Sequence, residues 1–174
     1  RIKPRKIVEL YAGVGAWTAF LSELTPDLHA SEISSAAVAA ARRNLRRHDL
    51  THIRFSRADA AAWRPRRGEP PPDLICVDPP RTGLDAAARA AVLQGDAPAI
   101  LYISCDPMTL ARDVGFFERF GYRLDTVRPF DLFPQTYHVE CIARLRRGGP
   151  GDPQRSARSV AHPVAHAIEC PRLA

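Results

Sequence analysis

Short apolar runs alternate with longer amphipathic stretches along this chain. The first run, Lys6 to Tyr11 (KIVELY), has the length and composition of a buried strand. Four more runs share these features: Leu28 to Glu32, Ile53 to Ser56, Asp73 to Val77 and Ala99 to Ser104. The stretches between them predict helices over Ala16 to Leu24, over an Ala-rich segment that Ser34 or Ser35 caps and that runs to about Arg47, over Asp85 to Leu93, and over about Met108 to Phe120.

The pattern ends on two apolar runs, Tyr122 to Phe130 and Val139 to Leu145, with no helical stretch between them. Their connection is too short for a helix, which indicates an antiparallel hairpin. The preceding rhythm, counted as a strand and a helix repeated five times, indicates parallel strands covered by helices. The prediction is an α/β fold of the Rossmann-like type, with a mainly parallel seven-stranded sheet and a final antiparallel hairpin.

Length and composition favour one folded domain. A chain of 174 residues suits a single core, and its 45% hydrophobic and 25% charged residues are ordinary for a globular protein. From Gly148 onward, Gly, Pro, Arg, Ser and His dominate without a periodic pattern. We therefore expect a folded domain over residues 1–147 and a disordered tail over residues 148–174.

The charge is basic and unevenly distributed. The formal net charge is +6, and arginines crowd one region, namely Arg42, Arg43, Arg46, Arg47, Arg54, Arg57, Arg64, Arg66 and Arg67. Such a cluster favours a polyanionic partner. The first four also close a predicted helix, where cations complement the helix dipole. Charge alone supports a polyanion-binding surface and a solvated helix face equally well.

Cysteine usage and hydropathy bear on metals, redox compartment and membranes. The four cysteines, Cys76, Cys105, Cys141 and Cys170, form no C-x-x-C pair, so no zinc or iron–sulfur site is expected within this chain. They indicate no disulfide framework, which favours a cytoplasmic location. No stretch reaches the roughly 18 apolar residues of a membrane helix. We expect a monomer without a metal and without a membrane segment.

Features at three consecutive strand ends predict a nucleoside site. A glycine-rich turn, Tyr11 to Gly15, follows the first strand and lets a ligand approach the backbone. Thr18 occupies the position of the third glycine of the dinucleotide fingerprint, which argues against NAD. Glu32 ends the second strand and can accept the hydroxyls of a ribose, and Asp59 follows the third strand, where it can meet an adenine amino group. Each carboxylate alone is equally consistent with helix capping, but together with the turn they favour S-adenosylmethionine.

The fourth and fifth strands end in residues suited to chemistry. A D-P-P turn beginning at Asp78 follows the fourth strand, at the edge where parallel sheets bind ligands. Many nucleic-acid methyltransferases carry this turn, and those that act on amino groups usually place an aromatic residue after it, where this chain has Arg81. Cys105 ends the fifth strand, which favours a functional role, whereas Cys76 and Cys141 lie within strands and are expected in the core.

A thiol at this edge suits methylation at carbon 5 of uracil. That carbon is a poor nucleophile, but a thiolate that adds to carbon 6 converts the ring into an enolate, and carbon 5 can then attack a methyl sulfonium. A base must next remove the proton from carbon 5 so that the thiol can leave. Glu140 is the predicted base and His138 is the rival candidate. The alternative for Glu140 is a surface carboxylate at a strand edge.

Three long motifs resemble the RNA uracil-5-methyltransferases, which act on transfer and ribosomal RNA. They are Asp78 to Leu84 (DPPRTGL), Ser104 to Pro107 with Thr109 to Asp113 (SCDP and TLARD), and Pro129 to Glu140 (PFDLFPQTYHVE). The resemblance covers roughly Ile7 to Arg146. It implies a Rossmann-like class I methyltransferase fold, S-adenosylmethionine as cofactor and RNA as partner. It also implies that Cys105 is the nucleophile and Glu140 the base, that Tyr11, Ala16 and Glu32 contact the cofactor, and that Asp78 lies where cofactor and target meet.

The predicted site therefore has three parts. The catalytic residues are Cys105 and Glu140, the cofactor contacts are Tyr11, Gly13, Ala16, Glu32, Asp59 and Asp78, and the substrate contacts are Asp78, Pro79 and Arg81. Two positions depart from the family pattern, because Asp106 replaces the usual Asn and Ala16 replaces the Asn of some members. The family also carries a segment before the first strand that supplies a Gln to the cofactor, so the chain is expected to be a fragment or the product of a truncated gene.

Two other functions are consistent with parts of the sequence. A non-catalytic remnant would keep the fold and bind RNA through its arginines, although the presence of Cys105, Glu140 and Asp78 argues against long decay. An amino-directed methyltransferase would use the D-P-P turn, but it would need no Cys105 and would have an aromatic residue at position 81.

Overall fold

Strands and helices alternate from Lys6 to Arg147 in the computed structural model, which describes residues 3–131, 135 and 139–148. The strands are β1 (Lys6–Leu10), β2 (Asp27–Glu32), β3 (Arg54–Arg57), β4 (Leu74–Val77), β5 (Ala99–Ser104), β6 (Tyr122–Phe130) and β7 (Glu140–Arg147). The helices are α1 (Ala16–Ser22), α2 (Ser35–Arg47), α3 (Ala86–Gln94) and α4 (Pro107–Glu118), with a 3₁₀ turn at Ala60–Ala62.

These strands form one seven-stranded sheet within the described residues, in the order β3-β2-β1-β4-β5-β7-β6. The first five strands are parallel, and β7 is antiparallel to both β5 and β6. The predicted α/β fold with a final antiparallel hairpin is therefore confirmed. The chain reverses its direction of travel across the sheet between β1 and β4, which creates a crevice at the carboxyl ends of the parallel strands. We call this side of the sheet the carboxyl edge.

The predicted elements are correct in order, with one difference in the rhythm. The strand–helix repeat occurs four times, not five, because only a 3₁₀ turn follows β3. The segment from Arg64 to Pro72 contains four prolines, which lack the backbone N–H that a helix requires. Strand β1 ends at Leu10, not at Tyr11, because Tyr11 has a positive φ of 62°. Ser34, not Ser35, caps α2 by accepting a hydrogen bond from the backbone N–H of Ala37.

Two apolar layers hold the sheet, one on each face. On one face, Ile7 and Cys76 pack with Leu21 of α1. On the other, their strand neighbours Val8 and Ile75 pack with the inner sides of α3 and α4. Neighbouring strand residues point to opposite faces, so a run that is apolar throughout buries both faces. Cys76 and Cys141 are buried, as predicted.

Some predictions fall on residues outside the described part of the chain. They concern the tail from residue 149 onward, His138, and most of the connection between the last two strands. Among the described residues, no helix is long and apolar enough to span a membrane. The same residues contain no group of three or more His, Cys, Asp or Glu side chains that could hold a metal ion.

Candidate active site

The glycine-rich turn after β1 forms one wall of the crevice. Its backbone is in the left-handed region at Tyr11 (φ 62°), Gly13 (φ 54°) and Gly15 (φ 84°). A Cβ atom added at Gly13 would meet no atom within 4 Å, so a ligand can approach the backbone there. A tyrosine in this region is energetically costly, and such costs are characteristic of functional sites.

Glu32 holds this turn from the end of β2. Its Oε2 atom accepts a hydrogen bond from the backbone N–H of Gly13 (3.0 Å), and its Oε1 atom accepts one from the backbone N–H of Ser34 (2.8 Å). The side chain is half-buried at the carboxyl edge. The carboxylate is therefore fixed beside the open backbone of the turn, which is the position predicted for a contact with the cofactor ribose.

Asp59 lies next along the same edge, after β3. Its Oδ1 atom accepts a hydrogen bond from the backbone N–H of Ala61 (2.9 Å), so it caps the 3₁₀ turn. Capping was the alternative role for this residue, and the structure shows it. A contact with adenine stays a prediction, because capping occupies one of the two carboxylate oxygens.

The hydroxyl of Tyr11 faces carboxylates from both sides of the crevice. Burial raises the pKa of Tyr11 to about 12, and the negative charges of Asp85, Asp59, Asp113 and Glu32 add to the increase. Asp59 and Glu32 belong to the β2–β3 side, whereas Asp85 and Asp113 belong to the side of α3 and α4. Tyr11 therefore lies between the predicted cofactor contacts and the chemistry-bearing strands.

Asp78 connects the two sides. Its backbone N–H donates to the carbonyl of Leu10 (3.4 Å), and its carboxylate accepts a hydrogen bond from the side chain of Trp17. Burial raises the pKa of Asp78, the charge of Glu140 raises it further, and the bond from Trp17 opposes both effects. The carboxylates of Asp78 and Glu140 are therefore close enough to repel each other.

Cys105 and Glu140 meet at the same edge. Cys105 directly follows β5, Glu140 begins β7, and both are half-buried. The antiparallel register pairs Ser104 with Cys141, so its continuation by one residue places Cys105 opposite Glu140. Opposite residues in such a pair have Cβ atoms about 4.5–5.5 Å apart. The structure thus brings together the predicted nucleophile and the predicted base.

Asp106, the residue after Cys105, has a structural role. Its Oδ1 atom accepts hydrogen bonds from the backbone N–H groups of Met108 and Thr109, both at 2.9 Å, and so caps α4. An Asn side chain can cap a helix equally well. The departure from the family pattern at this position therefore conserves the helix cap.

The D-P-P turn presents its residues unequally. Pro79 is buried, whereas Pro80 and Arg81 are exposed. Gly83 closes the turn by donating its N–H to the carbonyl of Pro80 (2.8 Å). The exposed guanidinium of Arg81 is thus available at the mouth of the crevice, as a substrate contact requires. Ala16, at the start of α1, is also exposed.

Sequence reasoning missed Glu9, which is almost completely buried in β1. Its Oε2 atom accepts a short hydrogen bond from Thr18 Oγ1 (2.6 Å), while its Oε1 atom has no partner among the described residues. Burial raises the pKa of Glu9 to about 7, the bond from Thr18 lowers it, and the charge of Asp78 raises it. The available signal was a single acidic residue inside the apolar run KIVELY.

The architecture and the placement of these residues define a class I methyltransferase fold of the Rossmann-like type. Solved structures agree with this class. The N-methyltransferase NodS from Bradyrhizobium japonicum, in complex with S-adenosyl-L-homocysteine, is similar with a TM-score of 0.67 at 18% identity over 84% of this chain and 79% of that chain. At this identity the similarity concerns the fold alone.

The family is more specific. Residues 72–148 match the family model described as tRNA (uracil-5-)-methyltransferase. A crystal structure of the tRNA (uracil-54, C5)-methyltransferase of Pyrococcus abyssi, in complex with S-adenosyl-L-homocysteine, is similar with a TM-score of 0.71 at 31% identity, over 81% of this chain and 34% of that chain. The chain belongs to the tRNA (uracil-5-)-methyltransferase family.

Curated relatives agree with this family. A protein of Streptococcus mutans described as an uncharacterized RNA methyltransferase is 38% identical over 80% of this chain and 31% of its own length. A protein of Streptomyces coelicolor with the same description is 40% identical over 85% of this chain and 33% of its own length. The chain therefore spans about a third of the relatives that it matches.

Proposed function

We propose that this chain forms the catalytic part of an enzyme that transfers a methyl group from S-adenosylmethionine to carbon 5 of a uridine in transfer or ribosomal RNA. The observation that carries the proposal is the register of β5 and β7, which sets Cys105 opposite Glu140 beside Asp78. Membership of the family and the names of the relatives support the same reaction.

The cofactor residues fit an S-adenosyl nucleoside. Gly13 offers open backbone, and Glu32 offers a fixed carboxylate for the ribose hydroxyls. Asp59 is placed for the adenine, and Tyr11 stands between this pocket and Asp78. When bound, S-adenosylmethionine supplies a methyl group on a positively charged sulfur.

Cys105 performs the first step. Once its thiol has lost a proton, the sulfur forms a bond to carbon 6 of the uracil, and the electrons of the 5,6 double bond move into the ring as an enolate. Carbon 5 then forms a bond to the methyl group as the bond from methyl to sulfonium breaks. The half-buried position of Cys105 at the end of β5 leaves the sulfur accessible to a base that enters the crevice.

Glu140 completes the reaction. Its carboxylate takes the remaining proton from carbon 5, the 5,6 double bond forms again, and the bond between carbon 6 and the sulfur of Cys105 breaks. Asp78 lies beside Glu140, and its negative charge makes proton uptake by its neighbour more favourable. Arg81 lies at the mouth of the crevice, where its charge can meet an RNA phosphate.

A trapping experiment tests the proposal. The protein is incubated with S-adenosylmethionine and with transfer RNA or ribosomal RNA transcripts that contain 5-fluorouridine. Because fluorine cannot leave as a proton does, the adduct on Cys105 should persist and appear as a complex that resists denaturation. Cys105→Ala should abolish the complex, whereas Cys76→Ala, at a buried cysteine of β4, should retain it.

The possible results separate the proposed function from its alternative. A complex that forms equally in Cys105→Ala would contradict the role of Cys105. No complex on either RNA, together with no binding of S-adenosylmethionine, would favour a remnant that keeps the fold and binds RNA. A monomeric state and a cytoplasmic location are parts of the same proposal, and both can be measured directly.

A further inference from the structure

The segment Thr109 to Asp113 has no role in the chemistry above, although it belongs to a motif of the family. Thr109 lies in the first turn of α4, and Arg112 and Asp113 lie one turn further along. Residues three and four positions apart share one side of a helix. This side of α4 faces the second half of the D-P-P turn, residues 80–84.

Four hydrogen bonds join this side of α4 to the backbone of the turn. They are Thr109 Oγ1 to the carbonyl of Arg81 (3.0 Å), Arg112 Nη2 to the carbonyls of Thr82 (2.9 Å) and Leu84 (3.1 Å), and the N–H of Leu84 to Asp113 Oδ2 (2.8 Å). Three consecutive side-chain anchors thus hold positions 81, 82 and 84. Backbone groups held in this way cannot move independently of α4.

Asp113 is itself fixed. It is fully buried, and it accepts hydrogen bonds from Tyr102 Oη (2.6 Å), Arg89 Nη1 (3.0 Å) and Arg112 Nε (3.0 Å). A buried carboxylate with this many partners is highly constrained, because the loss of any partner leaves an uncompensated charge. Asp113 therefore provides a rigid anchor for Leu84.

The contact leaves no space between the turn and the helix. A Cβ atom added at Gly83 would lie 2.6 Å from both Arg112 Nη2 and Asp113 Oδ2, and Gly83 has a φ of +70°. Only glycine fits this position without moving the turn or the helix. The glycine of the DPPRTGL motif is thus explained by its contact with α4.

Thr109 also contacts the residue that follows the nucleophile. Its hydroxyl lies 3.1 Å from the carbonyl oxygen of Asp106, and its backbone N–H donates to Asp106 Oδ1 at 2.9 Å. One residue therefore touches both Arg81 of the turn and the neighbour of Cys105. We propose that Thr109, Arg112 and Asp113 form a clamp that fixes the D-P-P turn relative to Cys105 and so positions the target base. The role in catalysis rests on the proposed function.

Thr109→Val tests the clamp, because it removes the hydroxyl while conserving shape and the backbone cap. The amide hydrogens of Gly83 and Leu84 should exchange with solvent roughly tenfold faster. The kcat of methyl transfer should fall roughly tenfold or more, because a small displacement of reacting groups is costly, while the KM for S-adenosylmethionine stays within about twofold of its original value. Thr109→Ser should restore both properties. Thr126→Val, the same substitution at an exposed position of β6, is the matched control and should change neither.

Each result decides the matter. Unchanged exchange at Gly83 and Leu84 in Thr109→Val would overturn the clamp. Faster exchange with an unchanged kcat would overturn its role in positioning. If the original protein forms no complex with RNA containing 5-fluorouridine, the proposed function fails, and the clamp is then judged by amide exchange alone.

Discussion

At the scale of single residues, the carboxyl edge contains acids that affect one another. Asp78 and Glu140 belong to different strands, and the charge of Glu140 contributes to the raised pKa of Asp78. Such mutual effects are characteristic of sites that move protons. They also give a direct way to test whether the two carboxylates are neighbours.

Replacing Glu140 with Gln should lower the pKa of Asp78. The substitution removes the second cause of the increase, whereas burial, the first cause, remains. The pKa should therefore fall without reaching the ordinary value of an Asp. A carbon-13 NMR titration of the Asp78 carboxyl group measures the change. Glu118→Gln, at the distant end of α4, is the control and should leave the pKa unaltered. An unchanged value in Glu140→Gln would mean that the two carboxylates are not close.

The same substitution should trap the reaction on natural RNA. Without a base at position 140, the proton stays on carbon 5 and the bond from Cys105 to carbon 6 cannot break. Turnover should fall by about 10²- to 10⁴-fold, the usual contribution of a general base, and a covalent protein–RNA complex should accumulate on denaturing gels. The double variant Cys105→Ala, Glu140→Gln should form no complex. Normal turnover in Glu140→Gln would exclude Glu140 as the base.

At the scale of elements, a buried carboxyl group joins β1 to α1. Glu9 lies in β1 and accepts a hydrogen bond from Thr18 of α1, and the glycine-rich turn lies between them. This arrangement ties both ends of the turn to each other. Because burial raises the pKa of Glu9 to about 7, the folded protein holds this proton more tightly than the unfolded chain.

The free energy of unfolding should therefore depend on pH through Glu9. The contribution is fully present below the ordinary Glu pKa of 4.5 and is lost as the pH rises through about 7. Relative to Glu9→Gln, the stability of the original protein should fall by roughly 2–3 kcal/mol between pH 5 and pH 8. Urea unfolding of both proteins across this range measures the difference.

A second carboxyl group provides the control for this prediction. Glu69 is bonded to Lys6, and this bond lowers its pKa, so its effect on stability has the opposite sign. Glu69→Gln should therefore keep the fall in stability with rising pH. If the curves of the original protein and of Glu9→Gln run parallel, Glu9 has no raised pKa in the folded state.

At the scale of the whole molecule, many of the clustered arginines lie away from the candidate active site. Helix α2 begins near the end of β2, at the carboxyl edge, and runs back for about 20 Å. Arg46 and Arg47, in its last turn, therefore lie towards the opposite edge of the sheet from Cys105. Arg54 forms an ion pair with Asp27, so part of the cluster is used within the protein. Arginines on α2 would meet RNA at a distance from the target base.

Replacing the four α2 arginines with Gln should weaken RNA binding and flatten its dependence on salt. The residues are Arg42, Arg43, Arg46 and Arg47, and all are exposed. If each meets a phosphate, the slope of log affinity against log salt concentration should decrease by about 3. Fluorescence anisotropy with a transfer RNA transcript at several salt concentrations measures this slope.

Arginines at the other end of the sheet provide the comparison. Arg123 and Arg128 are exposed on β6, and Gln at these two positions should reduce the slope less than the α2 variant does. An unchanged slope in the α2 variant would return its arginines to a solvated helix face that complements the dipole.

Much of the fold could be predicted because its signals are local. Apolar runs of four to six residues, separated by capped amphipathic stretches, specify strands and helices through periodicity and capping, as Ser34 of α2 illustrates. The Pro-rich segment after β3 was the exception, since its prolines stopped an α-helix that the rhythm favoured. The ends of β1 and α4 also shifted, because caps and positive φ angles are set by a few atoms.

The site divides in the same way. The sequence by itself determined the family, the order of the strands along the chain and the residue types at their ends, including Asp78 and Cys105, because motifs and periodicity are written in consecutive residues. Only the tertiary structure decided that Glu140 lies opposite Cys105, that Glu9 is buried beneath the glycine-rich turn, and that Asp113 holds the D-P-P turn. These relations join residues far apart in the chain, and they depend on register and burial, which arise only when the strands pair.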